Sequence, residues 1–117
     1  MPYVDGFILA VKKDRLEDYK RVATIARDVW KEYGCLDYVE AVGDDVPYGE
    51  LTSFPRAVMA AEDEVVIFSW ITYVDKASRD EIQAKIMKDE RIEKAMTDMP
   101  FDGKRMIYGG FNILVSL

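Results

Sequence analysis

The sequence predicts an α+β protein with a ferredoxin-like β-α-β-β-α-β order: a four-stranded antiparallel sheet with two helices on one of its faces. Three observations support this prediction. Four segments are rich in β-branched, aromatic and aliphatic residues, two segments show the apolar period of amphipathic helices, and right-handed crossovers join these segments into such a layer. The 117 residues are assigned to one domain, because a chain of this length that is 50% hydrophobic can build a core.

The first strand is predicted at Tyr3–Lys12, and the first helix follows it. Alternate side chains of a strand point to opposite faces, and here both faces are mostly apolar. Apolar residues then recur at helical spacing over residues 16–33. We expect Asp14 and Glu17 to cap this helix as a capping box and Gly34 to end it.

A long connection separates the second predicted strand, residues 35–44, from the third. The connection, residues 43–63, carries two glycines and two prolines, has no helical period and retains several apolar side chains. Connections of this length are usually functional or disordered, and the apolar content favours an ordered excursion that packs on another part of the molecule. The third strand, residues 64–74, is the longest nearly uninterrupted apolar run, and we expect it at the centre of the sheet.

The second helix is expected to begin at a cap formed by Asp75, and its predicted buried stripe includes Met87. Asp89 divides this helix into two pieces. The last strand is predicted at residues 104–115, where the glycine pair at 109–110 indicates a bulge or a close backbone approach. Asp102 and Arg105 are expected to form a local ion pair before it.

All four predicted strands are apolar on both faces, whereas the helices cover only one face. A monomer would therefore expose an unusually large apolar surface. We expect a homodimer in which two sheets pack face to face as a dimeric α+β barrel. Each protomer would keep its own cavity between sheet and helices.

The composition excludes several classes of partner and chemistry. A net charge of -6 and a pI near 4.7 argue against nucleic-acid and membrane partners. The N-terminus lacks the basic region of a signal peptide, so a cytoplasmic location is predicted. Because the chain has no histidine, Cys35 is interpreted as a packed residue rather than a nucleophile, and we predict neither a metal site nor a cofactor.

Six residues are candidates for binding a small molecule, although no catalytic residue is assigned. Tyr108 and Asn112 share one face of the last strand, where sparse polar groups typically orient a ligand. Arg56 lies among apolar residues, where a guanidinium needs an anionic ligand or a carboxylate partner. A carboxylate partner within the protein is the structural alternative to ligand binding. Packing in the core is the alternative for the aromatic residues and methionine. The full set is Trp30, Arg56, Trp70, Met87, Tyr108 and Asn112.

Several motifs together identify a family resemblance along nearly the whole chain. They are YVDGF at 3–7, VWKEYG at 29–34, YVEAVGDDVPYG at 38–49, TSFPRAV at 52–58, VIFSWI at 66–71 and MPFDGKRMIYGGF at 99–111. In these motifs the chain resembles the YbaA-like family, a domain of unknown function in the dimeric α+β barrel superfamily. The resemblance implies the ferredoxin-like protomer and the dimer. Similar barrels include cofactor-free monooxygenases, haem-degrading enzymes, lactone isomerases and domains that only bind ligands, so the fold does not choose an activity.

Two functions remain open from the sequence. The first is a cytoplasmic homodimer with a small-molecule site between sheet and helices, covered by the long connection. Analogy with the superfamily then favours cofactor-independent, oxygenase-like chemistry on an activated substrate. The second is a non-catalytic dimeric module that binds a ligand, or binds a partner protein through its acidic surface.

Overall fold

The chain folds into one four-stranded antiparallel sheet with the long helices packed on one face. A computed structural model describes residues 1–117, with β1 (Tyr3–Lys12), β2 (Asp37–Val42), β3 (Glu64–Tyr73) and β4 (Ile107–Asn112). The helices are α1 (Leu16–Tyr33), α2 (Phe54–Ala57), α3 (Lys76–Ile86) and α4 (Glu90–Ala95). The strand order is β2-β3-β1-β4, which confirms the predicted ferredoxin-like sheet. No helix combines the length and the apolar composition needed to cross a bilayer.

The main core lies between the sheet and three helices. Ile71 and Tyr73 of β3 are buried there, and Tyr73 is fully inaccessible to solvent. Burying one such side chain stabilises a fold by about 1.5–3 kcal/mol, so this layer is the main source of stability. The helical residues buried against them are Ala26, Val29, Ile82, Ile86 and Ile92.

The other face of the sheet, which we call the open face, has no long helix over it. β1 and β3 pair without interruption over ten positions, from Tyr3 opposite Tyr73 to Lys12 opposite Glu64. Since side chains alternate along a strand, this register fixes which residues point away from the helices. The centre of the open face is wholly apolar. It consists of Val4, Gly6, Ile8, Phe68, Trp70, Ile107, Gly109 and Phe111.

The long connection is ordered, as predicted, but it packs on the open face. Val58 is completely buried against Ala10 and Val66, which point away from the helices. The Phe54 ring meets the Phe68 ring edge to face, with centroids 5.7 Å apart. The prediction that this connection covers a cavity between sheet and helices is therefore wrong, because its apolar side chains are buried on the opposite side of β3.

The ends of the first long helix differ in part from the prediction. Residues 13–15 form a 3-10 turn, and α1 begins at Leu16 without any side-chain cap. The predicted capping box is wrong because Asp14 lies within this turn rather than before the helix. Gly34 ends α1 with a φ of 104°, a left-handed conformation that glycine adopts at little cost.

The second helix divides at Asp89, as predicted, and each piece has an aspartate cap. Asp75 accepts a hydrogen bond from the backbone N–H of Ser78 at 2.8 Å, and Asp89 accepts one from that of Arg91 at 2.9 Å. Met87 follows the end of α3 and is 84% exposed, so the prediction that it joins the buried stripe is wrong. Met87 keeps helical backbone angles but lies about 100° around the helix axis from Ile86, so its side chain turns away from the buried stripe.

A buried ion pair joins β1 to α3 beneath β4. Asp5 is 3% exposed, and Arg79 Nε donates to its two carboxylate oxygens at 3.0 and 3.2 Å. Gln83 Nε2 donates to the same carboxylate at 3.2 Å. A Cβ atom on Gly110 would lie 2.5 Å from Arg79 Nη2, so the absence of a side chain there lets the guanidinium reach Asp5. The predicted close approach is thus confirmed at Gly110, while continuous pairing of β4 with β1 excludes a bulge.

A second ion pair joins the segment before β4 to the start of β3. Arg105 Nη1 and Nη2 donate to the two carboxylate oxygens of Glu64 at 2.9 and 2.8 Å. Its Nε also donates to Asp102 at 3.2 Å, which confirms the predicted local pair. The guanidinium lowers the pKa of Glu64 to about 2 from an ordinary 4.5.

Replacing Glu64 with glutamine is expected to lower the free energy of unfolding by about 2 kcal/mol near neutral pH, because the amide loses two charge-assisted hydrogen bonds. A carboxyl with a lowered pKa stabilises the fold fully above pH 4.5, and this contribution is lost as the pH falls toward 2. The difference between wild type and variant should therefore shrink by about half between pH 7 and pH 3. Urea denaturation at both pH values measures it.

The matched control is Asp63→Asn, which removes an exposed 3.1 Å pair with Lys12. This change should have a much smaller effect than Glu64→Gln at either pH, because solvent screens an exposed pair. A Glu64→Gln difference that stays constant from pH 7 to pH 3 would contradict the prediction.

Candidate functional site

A cavity lies between α1 and β2, at one edge of the sheet. It has a volume of about 600 Å³, which is in the range of small-molecule sites. We call it the α1–β2 cleft. Leu16, Tyr19 and Ala23 line it from α1, Ile67 lines it from β3, and residues 38–42 form the wall contributed by β2.

Two periodicities bring these side chains together. Leu16, Tyr19 and Ala23 are spaced by three and four residues, so they lie on one side of α1. On β2, Tyr38 pairs with Ile71 and therefore points toward the helices, and Glu40 shares its side because it is two residues further along. A polar strand position thus faces an apolar helix surface.

Glu40 is the chemical centre of the cleft. Tyr19 Oη donates a hydrogen bond to Glu40 Oε1 at 2.5 Å, and Tyr38 Oη donates one to Oε2 at 2.9 Å. No lysine or arginine bonds to this half-buried carboxyl. An ionised carboxylate has about four acceptor positions, so both oxygens keep capacity for a further donor.

Burial controls the protonation of these three groups. Removal from water raises the pKa of the Glu40 carboxyl above its ordinary value, although the hydrogen bonds from Tyr19 and Tyr38 act in the opposite direction. Burial, followed by the charge of Glu40, also raises the pKa of both phenols, so they remain donors at neutral pH. A carboxyl with a raised pKa inside a cleft is typical of functional sites.

Charged side chains of both signs surround the mouth of the cleft. Glu17 and Lys20 lie one helical turn apart on α1, and both line the opening. Arg27 also lines it and pairs with Asp28 at 2.9 Å. None of these exposed cations bonds to Glu40, whose side-chain hydrogen-bond partners are the two phenols.

The sequence-predicted candidates do not converge on this cleft. Trp30 comes nearest, since its ring lies 6.0 Å from that of Tyr38, but its Nε1 donates to Tyr73 in the core at 3.0 Å. Trp70 lies on the open face and donates to Asp37 at 3.2 Å. Trp70 and Tyr108 both border a shallow concavity of about 490 Å³ on that face.

The remaining candidates occupy separate places on the surface. Asn112 is exposed on β4, and Met87 is exposed beyond α3. Arg56 donates to the carbonyl oxygens of Tyr48 and Gly49 at 2.9 and 3.0 Å, and its guanidinium lies 3.8 Å from the centre of the Tyr48 ring. Within the protomer its partners are backbone carbonyls and an aromatic ring, so the structural alternative of a carboxylate partner in the same chain is not found.

The site residues predicted from the sequence do not include Tyr19, Tyr38 or Glu40. One signal was present: Glu40 has the same parity as Tyr38 and Val42, so a carboxyl occupied a strand position that faces the core. A charge at such a position normally requires a partner. The contact with Tyr19, which is distant in sequence, carried no comparable signal.

Sheet order and helix placement define the chain as a ferredoxin-like α+β protein. A dimeric ferredoxin-like protein of unknown function from Jannaschia sp. CCS1 matches with a TM-score of 0.60 and 11% identity, over 95% of this chain and 99% of that chain. A dimeric ferredoxin-like protein from an uncultured marine organism matches with a TM-score of 0.57 and 11% identity, over 100% of both chains. At these identities the similarity concerns the fold alone.

The chain belongs to the family described as "Protein of unknown function (DUF1428)", whose model matches residues 2–103. It is 48% identical over 115 residues to the uncharacterized protein YbaA of Escherichia coli strain K12, covering 98% of each chain. YbaA of Shigella flexneri matches with the same identity and coverage. Family membership confirms the resemblance identified from the motifs.

Proposed function

We propose that the protein is a cytoplasmic homodimer that binds a small molecule in the α1–β2 cleft of each protomer. The observation that carries this proposal is Glu40, a half-buried carboxyl without a cationic partner that two phenols hold at the wall of a 600 Å³ cavity. Folded proteins rarely leave such a group uncompensated unless it has a use. The proposed site lies between sheet and helices, with residues other than those predicted.

The open face supports the dimer. Phe68 and Ile107 are each 43% exposed and Phe111 is 60% exposed, although all three belong to one apolar surface. Packing two such faces together would remove this surface from water, and the two solved ferredoxin-like neighbours are described as dimeric. The cleft is on the other side of the sheet, so this dimer leaves it accessible.

Glu40 is suited to either of two uses. In a catalytic site its carboxylate would accept a proton from the substrate, while Tyr19 and Tyr38 keep it oriented. The resulting substrate anion could then reduce O₂ without a cofactor, in line with the oxygenase-like chemistry expected from the superfamily. In a non-catalytic module the same carboxylate would only orient a ligand. Oxygen consumption with a bound substrate separates the two uses.

Filling the cleft tests whether it is a binding site. With 2-naphthol as probe, protein-detected NMR should show shifts concentrated on α1 and β2. Ala23→Phe places a ring in the cleft and should weaken binding by about tenfold or more, since the loss of about 1.4 kcal/mol is already tenfold. The measurement is the dissociation constant from the titration.

The control is Ala84→Phe on the exposed side of α3, which adds the same ring away from the cleft and should leave the affinity unchanged. Thermal melts of both variants confirm that they fold. Binding that survives Ala23→Phe, or shifts that centre on Phe68 and Phe111 instead, would refute the cleft as the site.

A further inference from the structure

We infer that the ligand of the α1–β2 cleft carries a positively charged amine that pairs with Glu40, attached to an apolar body. This inference rests on the proposed small-molecule site and names the chemical class that the site selects. Its basis is a comparison of Glu40 with the other carboxylates of the chain that are not exposed.

Every other carboxylate that is at least partly buried is compensated within the protein. Arginine pairs with most of them, at distances between 2.8 and 3.3 Å. Asp75 instead caps α3 by accepting a backbone hydrogen bond at 2.8 Å. Glu40 has neither an arginine nor a helix N-terminus. The arginine-paired residues are Asp5, Asp18, Glu64 and Asp89.

A bound ammonium group would supply the charge that Glu40 lacks. Hydrogen bonds between two ionised groups are about twice as strong as those between neutral groups. A neutral hydroxyl ligand would satisfy an acceptor position of the carboxylate but leave its charge uncompensated. The site should therefore favour an amine over an alcohol of the same shape.

The rest of the cleft adds an apolar wall, and the exposed side chains of Lys20 and Arg27 also line it. Leu16, Ala23 and Ile67 offer aliphatic surface beside Glu40. Glu17 offsets one of these cations, Asp28 pairs with Arg27 at 2.9 Å, and all four side chains are exposed, so solvent weakens their effect on a cation at Glu40. An amine on an aliphatic or aromatic body fits both features.

The same pairing makes the affinity depend on pH. Only the ionised carboxylate compensates an ammonium group, so amine affinity should increase as the pH rises through the pKa of Glu40, which burial places above the ordinary value. β3 contributes no charged group to the cleft. The titratable groups that α1 and β2 direct toward it are Glu17, Tyr19, Lys20, Arg27 and Tyr38.

Three probes of matched size test the inference: 2-phenylethylamine, 2-phenylethanol and 3-phenylpropionate. NMR titration of the full-length protein at pH 7.5 should show the amine binding about tenfold more tightly than the alcohol, with the carboxylate weakest. The shifts should lie on α1 and β2. Lowering the pH toward 5 should reduce the preference for the amine.

Glu40→Gln should abolish this preference, so that amine and alcohol bind with equal affinity. Glu81→Gln is the matched control, because it removes an exposed carboxylate on α3, outside the cleft, and should leave the preference within about twofold. Removing an uncompensated carboxyl does not threaten folding, and thermal melts verify this.

Three outcomes would overturn the inference: equal affinity of amine and alcohol for the wild type, a preference that persists in Glu40→Gln, or no binding of any probe at millimolar concentration. Equal binding within the cleft would leave the proposed site intact and refute only the cationic class. Failure of the 2-naphthol experiment would instead remove the site itself.

Discussion

Replacing Arg79 with methionine is expected to lower the free energy of unfolding by about 3–5 kcal/mol. Methionine fills a similar volume but leaves Asp5 buried with only neutral side-chain partners, the Gln83 amide and the Tyr73 hydroxyl. A buried carboxylate that loses its cation retains the full cost of its removal from water. Because domains of this size are typically stable by about 5–15 kcal/mol, the variant should be close to the limit of folding.

Urea denaturation at fixed protein concentration measures the loss, since self-association contributes to apparent stability. The control is Lys76→Met, which breaks an exposed pair with Asp80 at 2.9 Å on the same helix. It should cost far less than Arg79→Met, because solvent screens an exposed pair. A second variant, Asp5→Asn combined with Arg79→Met, should recover part of the stability because no charge stays buried. If Arg79→Met and Lys76→Met cost the same, the pair has no structural importance.

A second large effect is expected at the open face, where Phe68→Glu should convert the proposed dimer into a monomer. Phe68 lies on the central strand β3 opposite Ile8, in the middle of the apolar surface. Packing two open faces together would bury two uncompensated carboxylates, which costs more than the apolar contacts contribute. Sedimentation velocity at micromolar concentration distinguishes the two states.

Ile25→Glu is the control for this substitution. Ile25 is 38% exposed on α1, away from the open face, so the variant should remain a dimer. Native mass spectrometry provides an independent measurement of the mass of the assembly. A wild-type monomer at micromolar concentration, or a Phe68→Glu variant that stays dimeric, would refute packing through this face.

The fold could be predicted because its signals are periodic. Alternation in β1 and β3 and the order of the elements suffice for a ferredoxin-like sheet, and Gly34 and Asp75 mark helix ends through local backbone chemistry. The 3-10 turn before α1 escaped prediction, since the capping-box spacing of Asp14 and Glu17 fits either conformation. The sequence also did not predict on which face of the sheet the long connection packs, because the burial of Val58 depends on tertiary packing.

The candidate site was harder to predict because its contacts join separate elements. Parity places Tyr38 and Glu40 on one side of β2, but their contact with Tyr19 depends on where α1 lies along the sheet. Arg56 shows the converse problem: an arginine among apolar residues indicates a partner, yet backbone carbonyls have no sequence signature. The sequence thus indicates which positions carry polar side chains, but it does not indicate which groups these side chains contact.

The position of the α1–β2 cleft has a kinetic consequence. The cleft opens beside β2, an edge strand, whereas the open face is on the other side of the sheet. In the proposed dimer, a ligand of this cleft could therefore enter and leave while the two protomers stay together. Its dissociation would be a first-order process with a rate constant independent of protein concentration, and each protomer would fill according to the free ligand concentration alone.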